Sequence, residues 1–126
     1  MKSFVVTLII GAVIVSGSIF YSQHLSSEAK KLSDMTTEIK VSVNNENYDA
    51  AKKQIDKLSK SLSEFEKFFL ATGDHIEIDN IRMNLAELKS FAKHEMKSDA
   101  LSKIYVLEFL FRHLPHSTEV HIGNIL

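Results

Sequence analysis

The chain has 126 residues, with 15 lysine and arginine side chains against 16 aspartate and glutamate side chains and a formal net charge of −1 at pH 7. This length allows one domain, and the near-neutral charge argues against a nucleic-acid-binding protein and against a polybasic membrane sensor. The chain has no cysteine, which excludes disulfide bonds, thiolate zinc sites and lipid attachment at cysteine.

The first predicted element is a membrane-spanning helix. Residues 4–21 read FVVTLIIGAVIVSGSIFY and carry no charged side chain. A run of this length approaches the thickness of a hydrocarbon core of about 30 Å, and in lipid it must be helical because no water is there to satisfy the backbone. We therefore predict that residues 1–23 anchor the protein in the lipid bilayer.

A cleaved signal peptide is the rival interpretation of this segment. The apolar run exceeds the usual length of about 7–15 residues and no Ala-x-Ala cleavage site follows it, which favours an uncleaved anchor. Lys2 favours a cytoplasmic N-terminus, while Lys30 and Lys31 act weakly in the other direction. The expected location is the cell membrane, crossed once, with the N-terminus in the cytoplasm and the C-terminal domain outside the cytoplasm.

Residues 24–126 are predicted to form a helical bundle. Apolar residues recur at alternating spacings of three and four in four segments, as on one face of a helix. Amphipathic helices joined by short connections bury these faces against one another, so the predicted fold is all-α, with one transmembrane helix and an antiparallel bundle of about four helices. The predicted helices cover residues 25–43, 48–72, 75–95 and 99–114, followed by a short tail.

The ends and relations of these helices follow from single residues. Asn47 is a candidate N-cap, and Pro115 is expected to stop the last helix. The first of the four is expected to continue the membrane helix as a stalk, although a group of serines permits a small break between them. Residues 47–58 and 98–109 are loosely alike, which indicates either a duplicated helical hairpin or chance similarity between helices.

The last helix has the most apolar circumference. Leu101, Val106, Phe109 and Leu110 add to its main apolar face. A helix that is apolar almost all round is usually buried. We therefore predict that it is the central helix of the bundle.

The densest polar cluster lies at the start of the third helix, where the sequence reads DHIEIDN and supplies Asp74, His75, Glu77, Asp79 and Asn80. Carboxylates and an imidazole are ligands of divalent metals, and His75 and Asp79 share one helix face. The same residues also form a helix start, with Asp74 as N-cap and Glu77 completing a capping box. The helix start is the favoured interpretation, so no metal or other cofactor is expected.

Phe68 is a candidate interaction residue because it lies off the main apolar face of the second helix. The other phenylalanines at helical spacing fit a core. The sequence contains no nucleophile–base pair, no glycine-rich phosphate loop and no basic–aromatic stripe. It therefore gives no support to an enzyme or to a nucleic-acid partner.

The chain resembles a family of short, single-anchor bacterial membrane proteins of unknown function, found mainly in clostridia and bacilli. The resemblance covers the whole length. The motifs that carry it are MKSFVVTLII, ENYDAAKKQIDKL, DHIEIDNI, DALSKIYVLEFLFRHLP and a terminal GNIL. The family is richer in tryptophan in its middle part, where this chain has Phe65, Phe68 and Phe69 instead.

This resemblance implies an N-terminal anchor, a helical extracytoplasmic domain and no established activity, with multi-pass membrane proteins encoded nearby, some of them linked to spores. The leading hypothesis is a non-enzymatic accessory subunit whose bundle binds another membrane protein through an exposed helix face. The alternatives are a module that senses a small ligand and a metal-dependent enzyme built on the DHxExD cluster.

Overall fold

The computed structural model describes residues 1–69 and 75–125, with side chains described as far as Leu114. Within these ranges the described chain is helical with short turns and has no strand, which confirms the predicted all-α class. The helices are α1 (Lys2–Asn44), α2 (Tyr48–Phe69), α3 (His75–Lys93) and α4 (Lys97–Ile125).

The four helices form a ring. α1 packs against α2 and α4, and α3 packs against the same two helices, so α1 and α3 lie opposite each other. Ser42 donates a 2.7 Å hydrogen bond to Gln54, while the ring of Tyr21 contacts that of Phe68 at the other end of α2, so α1 and α2 are antiparallel. The end of the bundle from which residues 4–20 extend, here called the apolar end, therefore also holds the last turn of α2 and the first turn of α3.

α1 is unbroken over 43 residues. Its first part, up to Phe20, is exposed, and one face is buried from Leu25 onward. The predicted boundary between residues 23 and 24 thus falls inside a continuous helix. The small break that serines permit is not formed, since α1 is helical throughout this region.

The α1–α2 and α3–α4 turns have the same geometry. Glu46 and Glu95 adopt φ angles of 57° and 56°, and the N–H of the residue after each bonds to the carbonyl five residues back. This is the Schellman pattern that ends a helix in a left-handed residue. After the first turn, Asn47 Oδ1 accepts a 3.3 Å hydrogen bond from the Ala50 N–H, which confirms Asn47 as an N-cap.

The two hairpins also share their buried pattern. Ten buried residues of the first hairpin each have a buried counterpart in the second, at the same offset that separates Glu46 from Glu95. In α1 and α3 the pairs are Ala29 with Ile78, Leu32 with Ile81, Thr36 with Leu85, Ile39 with Leu88, and Val43 with Ala92. In α2 and α4 the pairs are Ala51 with Ala100, Ile55 with Ile104, Leu58 with Leu107, Leu62 with Phe111, and Phe65 with Leu114. The bundle is therefore two equivalent helical hairpins. The sequence pairing of residues 47–58 with 98–109 is two residues out of this register.

Three predictions about α4 are corrected. It begins at Lys97 rather than at residue 99, and it continues through Pro115 to Ile125. Proline removes one helix hydrogen bond and disfavours the α conformation of the residue before it, at a cost of about 3 kcal/mol, but it does not forbid a helix. α4 is also not central, since the ring has no central helix and Val106 and Phe109 are exposed.

The predicted ends of the second and third helices are residues 72 and 95. The predicted end of α2 at residue 72 lies outside the described residues. α3 ends at Lys93, two residues before the predicted end, because Glu95 takes the left-handed conformation that closes the turn.

Candidate interaction surfaces

The first candidate surface is the uncovered part of α1. Its apolar side chains extend away from the bundle, and both Phe4 and Phe20 are about 70% exposed. α1 is long and apolar enough to cross a membrane, and in the part of the chain that the structure describes it alone meets both conditions. By length and composition this helix fits either a membrane anchor or a signal sequence.

Aromatic rings join the uncovered part of α1 to the bundle. The rings of Tyr21 and Phe68 have centroids 5.1 Å apart, and His24 meets the Phe68 ring edge-on at 4.8 Å. Phe20 stacks on His24 at 6.5 Å. Phe68, a predicted interaction residue, is thus half-buried against α1 and joins α2 to the end of the apolar segment.

The predicted polar cluster does not converge on a site among the described residues. Asp74 lies outside them, so its predicted role as N-cap stays a prediction. His75, Asp79 and Asn80 are exposed and Glu77 is half-buried. No three histidine, aspartate or glutamate side chains come together as metal ligands anywhere in the described ranges.

Asn80 instead serves a buried polar contact that sequence reasoning missed. Asn84, only 6% exposed, donates to the Asn80 carbonyl at 2.8 Å and to Asn80 Oδ1 at 3.1 Å. Lys103 Nζ from α4 lies 3.5 Å from Asn84 Oδ1 and 2.6 Å from Glu87 Oε2. This contact ties α3 to α4, and no sequence feature separates Asn84 from an exposed asparagine.

The second candidate surface is an apolar strip on α4. Its members are Ser102, Tyr105, Val106 and Phe109, here called the α4 outer face, and Tyr105 and Phe109 are both about 60% exposed. Phe109 stacks on His113 with centroids 4.1 Å apart, and Lys40 Nζ lies 4.7 Å from the centre of the Tyr105 ring. These contacts hold the aromatic rings in place and leave much of their surface to solvent.

The equivalent strip on α2 is polar. The register of the two hairpins places Lys53, Asp56, Lys57 and Lys60, the α2 outer face, at the positions of the α4 outer face. All four are exposed, as are their counterparts. The same backbone positions therefore carry charged side chains in one hairpin and mainly apolar side chains in the other.

Cationic groups border the α4 outer face. Glu108 accepts hydrogen bonds from Lys40 Nζ at 3.0 Å and from Arg112 at 2.9 Å, and its own side chain is only 13% exposed. The Arg112 side chain remains 67% exposed. Beside it, a cleft of about 320 Å³ between α1 and α4 is lined by Ser26, Lys30, Asp34, Arg112 and three further residues.

Comparison with protein families assigns the chain. The model of a domain of unknown function, DUF4363, matches residues 19–125. The chain belongs to the DUF4363 family. The matched residues contain both hairpins, whereas most of the apolar segment of this DUF4363 protein precedes them.

Comparison with curated proteins and with solved structures yields no match to this chain. The family assignment thus carries no activity, and any function must be argued from the surfaces described above.

Proposed function

We propose that this DUF4363 protein is a non-enzymatic accessory subunit of a membrane complex. α1 spans the cell membrane once with its N-terminus in the cytoplasm, and the bundle outside the cytoplasm binds another membrane protein through the α4 outer face. The contrast between the α4 and α2 outer faces carries this proposal. The resemblance to clostridial and bacillar membrane proteins favours a bacterial envelope as its setting.

The anchor is supported by the continuity of α1. A helix that leaves the bundle with all of its apolar side chains exposed is costly in water, at about 25 cal/mol for each Å² of apolar surface, and lipid removes that cost. Because the same helix also forms one side of the bundle, the membrane segment and the domain are rigidly joined. A subunit of this kind holds its docking face at a fixed height above the bilayer.

The chemistry of the α4 outer face describes its partner. Two exposed aromatic side chains on one helix face are typical anchors of a protein–protein contact. Arg112, which remains 67% exposed beside its partner Glu108, and the ring of His113 lie at the border of this face, whereas Lys40 is mostly covered and paired with Glu108. The matching surface is therefore an apolar helix or strand flanked by carboxylates on an extracytoplasmic part of a multi-pass membrane protein.

The proposal is tested by mild-detergent purification of the full-length tagged protein from its native membrane, with mass spectrometry of what co-purifies. The decisive variant, Tyr105→Asp with Phe109→Lys, gives α4 the residues that α2 has at the same positions. Because both side chains are exposed, the variant should fold, and it should lose a stoichiometric membrane partner at least tenfold. Lys60→Ala on the α2 outer face is the matched control and should retain that partner.

Equal recovery of the partner with the α4 variant would contradict the docking face. Recovery of the wild-type protein alone, under conditions that preserve other membrane complexes, would contradict the accessory role itself.

The cleft between α1 and α4 favours a second candidate function, a module that senses a small ligand. Lys30 and Arg112 supply two cations and Ser26 a hydroxyl group, which suit a small anion, although Asp34 opposes it. A rise in the unfolding temperature of the full-length protein with inorganic phosphate or a short-chain carboxylate, abolished by Lys30→Gln, would favour this function over the accessory role.

A further inference from the structure

We infer that the apolar end of the bundle makes a second contact with the bilayer, through Ile76 at the start of α3 and the last turn of α2. The occupant of this surface is the interfacial layer of the same membrane that α1 crosses. The inference rests on the proposed function to the extent that α1 must be inserted.

Side-chain pairings place this end of the bundle at the level where the apolar segment of α1 ends. Phe68 of α2 stacks against Tyr21, so the last turn of α2 lies beside the outer end of the span. Glu66 pairs with Arg82, which sets the height of α3 against α2. Ile76 is six residues before Arg82, and at 1.5 Å per residue it lies about 9 Å from Arg82 toward the bilayer.

Ile76 presents an apolar side chain at this level. Its side chain is 76% exposed, the most exposed large apolar side chain outside α1 in the described residues. Side chains of a helix lean toward its N-terminus, and the N-terminus of α3 is at the apolar end, so Ile76 is directed toward the membrane. The position is therefore consistent with an apolar group entering the interfacial layer.

Several neighbouring side chains fit the same layer, although the polar His75 is exposed beside Ile76 and Glu77 is half-buried. Tyr21 and Phe20 are aromatic residues at the end of the span, where such rings favour the headgroup region. Lys67 is exposed on the last turn of α2, where it can pair with lipid phosphate. The exposed Asp79 is three residues beyond Ile76 and lies about 4.5 Å farther from the bilayer.

A contact at this place would hold the bundle upright. α3 lies opposite α1 in the ring, so the span and Ile76 support the bundle from two sides. The α4 outer face would then keep one orientation relative to the bilayer rather than rotating with the tilt of a single span.

The absence of tryptophan from the chain makes a direct test possible, because a single introduced tryptophan is the only indole in the protein. The full-length protein is reconstituted in phosphatidylcholine–phosphatidylglycerol vesicles whose acyl chains are brominated. The depth probe is Ile76→Trp. Met83→Trp is the matched control, since Met83 is exposed on the same face of α3 about two turns farther from the bilayer. Ile10→Trp reports on the span itself.

Ile76→Trp should show blue-shifted emission and loss of fluorescence in brominated vesicles, weaker than for Ile10→Trp, while Met83→Trp should show neither. If Ile10→Trp is quenched and Ile76→Trp behaves like Met83→Trp, the second contact is overturned while the anchor stands. If Ile10→Trp is not quenched, the anchor and the contact that depends on it both fail. Equal helical content of the three variants by circular dichroism shows that each is folded.

Discussion

The two hairpins of this DUF4363 protein have the same interior and different exteriors. Ten buried positions correspond one to one, and the two turns share one backbone geometry. The outer face of α2 carries Lys53, Asp56, Lys57 and Lys60, whereas the outer face of α4 carries Ser102 and three apolar residues. The interior positions of the two hairpins thus correspond, and the difference between them lies in the chemistry of their outer faces.

This comparison removes the usual ambiguity of an exposed aromatic residue. Single exposed apolar side chains are common on soluble proteins and need no explanation. Here, however, the equivalent positions of α2 provide an internal reference, and they carry Asp56 and Lys60. Tyr105 and Phe109 depart from that internal reference together and on one face, which is the pattern of a contact surface.

The largest expected effects come from breaking the shared interior. Phe111→Ala should destabilise the protein by about 3–5 kcal/mol and its counterpart Leu62→Ala by about 2–5 kcal/mol, because each leaves a cavity in a fully packed core. Urea unfolding of the full-length protein in detergent, followed by circular dichroism, measures both values. A loss below about 1 kcal/mol at either position would show that the hairpins are not equivalent in their packing.

Removing an ion pair should lower the free energy of unfolding by less than a cavity does, and by different amounts in the two hairpins. Glu108 on α4 is mostly buried and accepts from both Lys40 and Arg112, so Glu108→Gln should cost about 1–3 kcal/mol. Its matched control is Asp56→Asn on α2, which loses a pair with Lys89 that is 66% exposed on both sides and should cost about 0–1 kcal/mol. The same unfolding experiment applies, and equal costs at the two sites would contradict the described burial of Glu108.

The smallest expected effect on stability comes from the ionisation of Tyr48, which lies beside the turn between α1 and α2. Burial, followed by the nearby carboxylates of Glu46 and Glu95, raises the pKa of Tyr48 above its usual value of 10.0. A phenol whose pKa is higher in the folded state than in the unfolded state contributes to stability at pH values below the pKa of the unfolded state. This contribution is lost as the pH rises through the pKa of the folded state.

Stability should therefore fall above pH 10 slightly more in the wild type than in Tyr48→Phe, which has no phenol to ionise. Thermal unfolding at pH 9 and pH 11 measures the difference. Parallel curves for the two proteins would show that Tyr48 titrates alike in both states.

Much of the architecture was predictable because helix periodicity is a local property. The recurrence of Ile55, Leu58, Leu62 and Phe65 at spacings of three and four fixes a buried helix face, and each of these residues is buried. Asn47 was predictable as an N-cap for the same local reason. The repeat was visible only out of register, because identical residues such as Ile55 and Ile104 are few and none of the five buried pairs of α1 and α3 is identical.

The rest depends on contacts that sequence spacing does not encode. The apolar circumference of α4 indicated a central helix, yet Val106 and Phe109 are exposed, since periodicity cannot separate an apolar face that meets the core from one that stays at the surface. Asn84 is buried with hydrogen bonds to Asn80 and Lys103, which sequence spacing does not reveal. The DHIEIDN cluster gave a candidate metal site from composition, but a metal site requires convergence in space, which the described residues do not provide.

The most direct test of the account is photo-crosslinking in the native membrane at two equivalent positions. A benzoylphenylalanine is placed at position 109 on α4 or at position 60 on α2, both exposed in the folded protein. We predict one abundant adduct with a membrane protein from position 109 and none from position 60. Equal adducts from both positions, or adducts only from position 60, would contradict a docking role for α4.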